Sequence, residues 1–174
     1  MVYSYNPDLP LYPGSLAKIM TCLLAIENGD MDQKVTFSTQ WNKSLPPQSI
    51  VCNLKEGEET TLGILVYWTM LYSANDAALN IASIIGGSQE GFVEMMNQRA
   101  KQMGCTDTVF TNVHGLDDPN QYTTARDLVK IVLEATKNET FCTVFGEDSV
   151  IMPPTNRSEK ERYINSDNHL IFNM

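Results

Sequence analysis

Two histidines and four cysteines are too few, and too scattered, to suggest a metal centre. Cys22, Cys52, Cys105 and Cys142 form no C-x-x-C pair, and only His114 and His169 could join them. A zinc site is therefore not expected. The four thiols read as free or buried, with a disulfide left open. Basic residues are also scarce: 12 Lys and Arg stand against 21 Asp and Glu, a net charge of −9. A nucleic-acid binder would carry a basic face, so that class is excluded. No long hydrophobic run exists either. The longest apolar stretch, Leu62 to Leu71, falls far short of the roughly 20 residues that span a bilayer, and Met1-Val2-Tyr3-Ser4 has neither the basic start nor the apolar run of a signal peptide.

What is present suits one folded unit. The 174 residues are 43% apolar and 19% charged, within the range of one domain or a large piece of one, with enough apolar material for a packed core. Val2 to Tyr5 reads as the end of a strand, followed by a loop through Pro7, Pro10 and Pro13. A helix starts near Ser15. Leu16, Ile19, Met20, Leu23, Leu24 and Ile26 recur at helical spacing up to Asn28-Gly29, and they cover nearly the whole circumference, so this helix is expected to be central and buried. Residues 31–60 read as short strands and turns. A second helix is predicted from Thr61 to Tyr72, a third from Ala77 to Ile85, and a fourth from a Ser88 cap to Met103 with Gly104 as its stop. Thr124 with Asp127 resembles a capping box for a helix to about Lys137. A short helix near Phe141 and strands at 150–152 and 162–164 complete the reading. The fold class is α+β, mostly helical, with short β segments at the termini and around 34–60.

Two motifs carry chemistry. Ser15 and Lys18 are three apart at the start of a predicted helix, so both side chains share one face of its first turn. A serine hydroxyl becomes a good nucleophile when a base takes its proton, and burial lowers a lysine pKa toward the neutral, basic form. Alone the pattern is weak, because chance supplies about one S-x-x-K in a chain this long; the plain alternative is a helix cap with a solvated lysine. The second motif, Ser73-Ala74-Asn75, interrupts two apolar helices. It reads either as a capped turn between them or as a hydroxyl that relays a proton beside an amide that holds a substrate carbonyl.

Together the motifs carry a resemblance. Residues 13–21, Pro-Gly-Ser-Leu-Ala-Lys-Ile-Met-Thr, resemble the active-site helix of low-molecular-mass penicillin-binding proteins, the serine D-alanyl-D-alanine carboxypeptidases of the serine β-lactamase/DD-peptidase superfamily. Residues 73–78 resemble the second motif of that family. Residues 112–118 with 122–128, and Met96-Asn97 with Met103-Gly104, resemble two further signatures in the family's order. The resemblance covers essentially the whole chain. It implies the helical subdomain of the DD-peptidase/β-lactamase-like fold. It also implies a hydrolase of the terminal D-Ala-D-Ala bond of peptidoglycan stem peptides, working through a Ser15 acyl-enzyme. Carried over by position, Lys18 is the general base, Ser73 the proton shuttle and Asn75 the contact to the substrate amide. β-Lactams would acylate the same serine, no metal or organic cofactor would be used, and the parent protein would act outside the cytoplasm.

The sequence departs from the family in having no Lys-Thr-Gly, the triad that binds the terminal carboxylate beside the oxyanion hole. Residues 1–174 are accordingly expected to be a partial catalytic domain: a helical subdomain with sheet remnants at 1–6 and about 149–174, and weak or no activity of its own. Two other functions stay open. One is a serine β-lactamase or esterase with the same motifs, although no E-x-x-L-N follows the second motif. The other is a non-catalytic helical module that binds muropeptides. Ser166-Asp167-Asn168 spells a known β-lactamase motif but is expected to be incidental, and His114 is expected to be structural.

Overall fold

The structure is a computed structural model that describes residues 5–167. Six α-helices carry most of it: α1 (Ala17–Asn28), α2 (Leu62–Leu71), α3 (Asn75–Gly86), α4 (Gln89–Gln102), α5 (Ala125–Ala135) and α6 (Glu139–Gly146). Helix α1 touches all five others. Its residues Met20, Cys22, Leu23, Leu24 and Ala25 are sealed from solvent, as its nearly all-round apolar surface requires. Helix α2 is similarly apolar and buries Leu62, Leu65, Val66 and Trp68. These two helices, with α3 packed against both, form the core.

The helix ends follow from local chemistry. The hydroxyls of Thr61, Ser88 and Thr124 each accept the backbone N–H three residues on, at 3.3, 3.0 and 3.1 Å, which satisfies donors that a helix start leaves open. Gly87 ends α3 in the left-handed conformation at φ +71°, where a glycine avoids the Cβ clash. The expected capping box at Thr124 forms on one side. The Asp127 carboxylate turns instead to the Asp107 N–H at 2.9 Å, the Thr108 hydroxyl at 3.0 Å and Lys130 at 2.7 Å.

Two antiparallel hairpins flank the helices. Strand β1 (Lys34–Phe37) pairs with β2 (Glu58–Thr61), and β3 (Ser149–Met152) pairs with β4 (Arg162–Asn165). Met152 and Ile164 face the core, whereas Ile151 and Tyr163 stand opposite each other in solvent. β3 and β4 thus fall at the strands expected near 150–152 and 162–164, and β1 and β2 within or at the edge of the 31–60 segment of short strands and turns. The strand expected at Val2 to Tyr5 and the β remnant after 167 lie outside the described residues, apart from Tyr5 itself, which sits in a bend. The four cysteines are unbonded to one another, with Cys22, Cys52 and Cys105 buried.

The hairpins are tied together by one buried carboxylate. Glu58 is fully buried and accepts from the Lys55 N–H at 2.9 Å and the Thr155 hydroxyl at 2.6 Å, while Arg162 of β4 forms an ion pair with it. Burial pushes its carboxyl up, but the bonds from Arg162, Thr155 and Lys55 outweigh burial and hold it below the ordinary carboxylate value. A carboxyl lowered in the folded state stabilises above its unfolded pKa and loses that contribution as pH falls through the folded one. Arg162→Met, which leaves a buried charge unpaired, is expected to destabilise the chain by ~3 kcal/mol at neutral pH. The loss should shrink in urea denaturation as the pH drops below about 4.

Candidate active site

Ser15 lies in a single 3-10 turn, Gly14–Leu16, that leads into α1. One turn on, Lys18 projects from the same face, and its Nζ lies 3.5 Å from Ser15 Oγ. Ser73, in the break between α2 and α3, brings its hydroxyl to 3.1 Å from the same Oγ. Three side chains that the sequence separates by 58 positions thus meet around one oxygen. They open into a cleft of about 200 Å³, whose wall also includes Thr69, Phe145 and Asp167.

Electrostatics suit proton transfer. Lys18 is only 4% exposed, and no carboxylate pairs with it among the described residues. Desolvation lowers its pKa from 10.5 to about 8, so a substantial share of neutral amine exists near physiological pH. Its Nζ also donates to the His114 backbone carbonyl at 2.7 Å. A neutral amine can keep that bond and still present its lone pair to Ser15. This is the arrangement a lysine base needs.

His114 belongs to a loop held tightly from both sides. The Thr21 hydroxyl of α1 donates to the Val113 carbonyl at 2.6 Å. The Gln121 side-chain oxygen accepts the N–H groups of Thr111 and Asn112 at 3.0 and 3.1 Å, and Asn112 Oδ1 accepts that of Gly115 at 2.7 Å. The His114 ring is structural, as expected: its Nδ1 accepts the Leu116 N–H at 3.1 Å. Burial, with the nearby Lys18 charge, lowers its pKa to about 4 and keeps it neutral. What the sequence did not reveal is the role of the His114 carbonyl, because a backbone oxygen leaves no residue-type signal. Gly115 was the available clue. Its φ is +85°, and a Cβ there would overlap the carbonyl of Gly14, next to Ser15.

The second motif is strained and braced. Ser73 has φ +58°, a left-handed backbone that costs a non-glycine residue about 1–2 kcal/mol. The N–H groups beside it hold the turn, Ala74 to the Trp68 carbonyl at 3.0 Å and Asn75 to that of Ile50 at 2.8 Å. The carboxylate of Asp76 adds the Cys52 N–H at 2.9 Å and its thiol at 3.3 Å. Burial raises the Asp76 pKa against these bonds. Asn75 is the exception among the expected site residues. It opens α3, earlier than the sequence placed that helix, and its side chain makes no hydrogen bond to Ser15, Lys18 or Ser73 among the described residues. Its Oδ1 is buried without a partner. Ser166 and Asp167, part of the motif expected to be incidental, line the cleft, because the Asp167 N–H bonds the Leu71 carbonyl at 2.9 Å and folds the end of β4 over α2. Asn168 and His169 lie outside the described residues. Tyr72 packs edge-on against Trp68, with centroids 5.3 Å apart.

The profile of the family described as D-alanyl-D-alanine carboxypeptidase matches residues 1–173. The chain belongs to the D-alanyl-D-alanine carboxypeptidase family. Over 131 residues it is 38% identical to D-alanyl-D-alanine carboxypeptidase DacC of Escherichia coli, covering 71% of this chain and 33% of that protein. It is 34% identical over 151 residues to DacF of Bacillus subtilis, covering 84% and 38%. The chain thus spans about a third of the length of the curated relatives it matches. Penicillin binding protein 6B from Escherichia coli superposes with a TM-score of 0.85 at 30% identity, over 98% of this chain and 54% of that one. A D-alanyl-D-alanine carboxypeptidase from Mycobacterium tuberculosis gives 0.85 at 28%, over 96% and 61%. The helical DD-peptidase fold expected from the motifs is therefore the fold of this family member.

Two outcomes check the site's physics. Lys18 binds fewer protons folded than unfolded between about pH 8 and 10.5, so its burial penalty is full below that window and relieved through it. The stability difference between wild type and Lys18→Met should accordingly shift in favour of wild type as pH rises from 8 to 10.5. Gly115→Ala should lower stability by ~2–3 kcal/mol, the combined effect of a left-handed backbone and an overlap, as read from the denaturant midpoint. It should also displace the Gly14–Ser15 backbone, visible as amide shifts there.

Proposed function

We propose that residues 1–174 form the nucleophile-bearing, mostly helical part of a serine-type D-Ala-D-Ala carboxypeptidase domain that acts on peptidoglycan stem peptides outside the cytoplasm. The observation that carries this reading is the convergence of the Lys18 amine, lowered to about 8, and the Ser73 hydroxyl on Ser15 Oγ, at 3.5 and 3.1 Å. In this reading Ser15 Oγ attacks the carbonyl of the penultimate D-alanine and Lys18 Nζ takes the hydroxyl proton. The resulting oxyanion forms at the start of α1, where backbone N–H groups and the helix dipole favour negative charge. Collapse breaks the amide C–N bond. The leaving D-alanine nitrogen receives its proton from Lys18 through the Ser73 hydroxyl, and an ester on Ser15 remains. Water, deprotonated by Lys18, hydrolyses that ester. Asn75 is assigned to the substrate amide, with its unpartnered Oδ1 as the group that supports the assignment. A β-lactam amide would enter the same path and stop at the ester.

Residues 1–174 contain no Lys-Thr-Gly, the triplet that the family resemblance assigns to the substrate carboxylate. Among the described residues no helix is long and apolar enough to cross a membrane.

The test is intact mass after incubation with excess benzylpenicillin. Wild type should gain one adduct and Ser15→Ala none. Lys18→Ala should slow the gain by about 10²–10⁴-fold, the usual contribution of a general base. The wild-type rate should climb with pH and level off above about 8, where Lys18 is neutral. An adduct on Ser15→Ala, or none on wild type, would remove this assignment for the chain.

A further inference from the structure

Thr21 breaks a habit of two other helical threonines in this chain. Thr69 in α2 and Thr143 in α6 turn their hydroxyls back to the carbonyl four residues earlier, that of Leu65 at 2.8 Å and that of Glu139 at 3.0 Å. This is the usual local bond of a threonine inside a helix. The single hydroxyl proton of Thr21, in α1, goes elsewhere. Thr21 is sealed from solvent and donates to the Val113 carbonyl at 2.6 Å, 92 positions away. No other donor among the described residues reaches that carbonyl.

Thr21 stands one helical turn beyond Lys18 on the same face of α1, and a bend at residues 113 and 114 turns two successive carbonyls toward that face. Val113 meets Thr21, and His114 meets the Lys18 Nζ at 2.7 Å. One Cα separates the two carbonyls, so neither shifts far without the other. On the other side of this segment lies a cleft of about 500 Å³ that Val113 and His114 also line. It is open to solvent, since the exposed Glu90 and Glu94 form part of its wall. Lys18 lines the Ser15 cleft and not this one. The segment is thus a partition, with an amine only 4% exposed on one side and water on the other.

We infer that Thr21 is a positioning residue for Lys18: its hydroxyl pins the Val113–His114 segment so that the His114 carbonyl faces the amine and the water behind the segment stays out. The inference deepens the acyl-enzyme reading and rests on it for the role of Lys18. Thr21 itself does not line the Ser15 cleft. Thr21→Val keeps the shape and removes the donor, which leaves the Val113 carbonyl buried and unpaired. That state is unfavourable, and a displaced loop or an entering water relieves it. Either change hydrates the amine and favours its charged form. The other titratable groups that face Lys18 are the Cys22 thiol, the His114 ring and, in the Ser15 cleft, the Asp167 carboxylate. The substitution replaces none of them.

The first measurement is a ¹³Cε NMR titration of Lys18 in the whole chain, without any β-lactam. Wild type should titrate at about 8, Thr21→Val at about 9, and Thr21→Ser, which keeps the donor, with wild type. The second is the rate of benzylpenicillin adduct formation. A rise from about 8 to about 9 removes about nine-tenths of the neutral amine at pH 7. Thr21→Val should therefore react about tenfold more slowly there and within about twofold of wild type at pH 9.5, with Thr21→Ser near wild type at both. A threonine that only holds the fold would lower the denaturant midpoint and leave both readouts unmoved. Thr21→Ala, whose space admits a water in place of the hydroxyl, should show smaller displacements in the same direction and serves where the valine chain does not fold. A wild-type titration in both Thr21→Val and Thr21→Ala, a Thr21→Ser chain that follows Thr21→Val, or an equal loss of rate at both pH values would overturn the inference and leave the acyl-enzyme reading standing. A wild type with no adduct at either pH would overturn that reading, and the catalytic part of Thr21 with it.

Discussion

The site depends on placing one amine where water cannot reach it. Lys18 sits on a helix that is apolar around most of its surface, and that helix touches every other α-helix of the described residues. Burial alone would expel or misorient so polar a group. The His114 carbonyl, 2.7 Å away, gives it one compensating bond without a compensating charge. A carboxylate in that position would have raised the pKa and kept the lysine protonated. A carbonyl dipole orients the nitrogen and leaves desolvation in control. The chemistry proposed for Ser15 then rests on the packing of α1.

That dependence explains why so much of the remaining structure concerns the loop at 111–116. Gln121, Asn112 and Thr21 hold it by side chain, and Asn97 of α4 bonds the Phe110 backbone through both its atoms, at 2.9 and 2.8 Å. Gly115 lets the loop approach Gly14 more closely than any side chain would allow. The opposite wall uses strain where the loop uses glycine. Ser73 adopts a left-handed backbone so that its hydroxyl faces Ser15, and the bonds of Asp76 to the segment at Cys52 keep it there. Strain of this kind persists only where the surroundings over-determine it. Here α2, α3 and the 50–52 segment do so.

The helices were legible because their signals are local. The apolar spacing of α1 and α2, the hydroxyl caps at Thr61, Ser88 and Thr124, and the glycine after α3 each act within a few residues of themselves. Helix α3 begins two residues earlier than its apolar pattern, because Asn75 and Asp76 are polar yet buried, and only their partners Ile50 and Cys52 reveal why. Ser166-Asp167 looked incidental for a similar reason. A single hydrogen bond from Asp167 to Leu71 brings it to the cleft, and nothing in the local pattern announces a contact 96 positions away.

The sequence by itself determined the helical periodicity, the family, and the pairing of Ser15 with Lys18, since three residues on a helix put two side chains on one face whatever surrounds them. Tertiary structure decided whether that pair could do chemistry. The pKa of Lys18 is set by exclusion of water, the direction of its amine by a carbonyl 96 positions on, and the place of Ser73 by a strained turn between two helices. Burial and long-range hydrogen bonds belong to the packed whole, and no local pattern of residue types contains them.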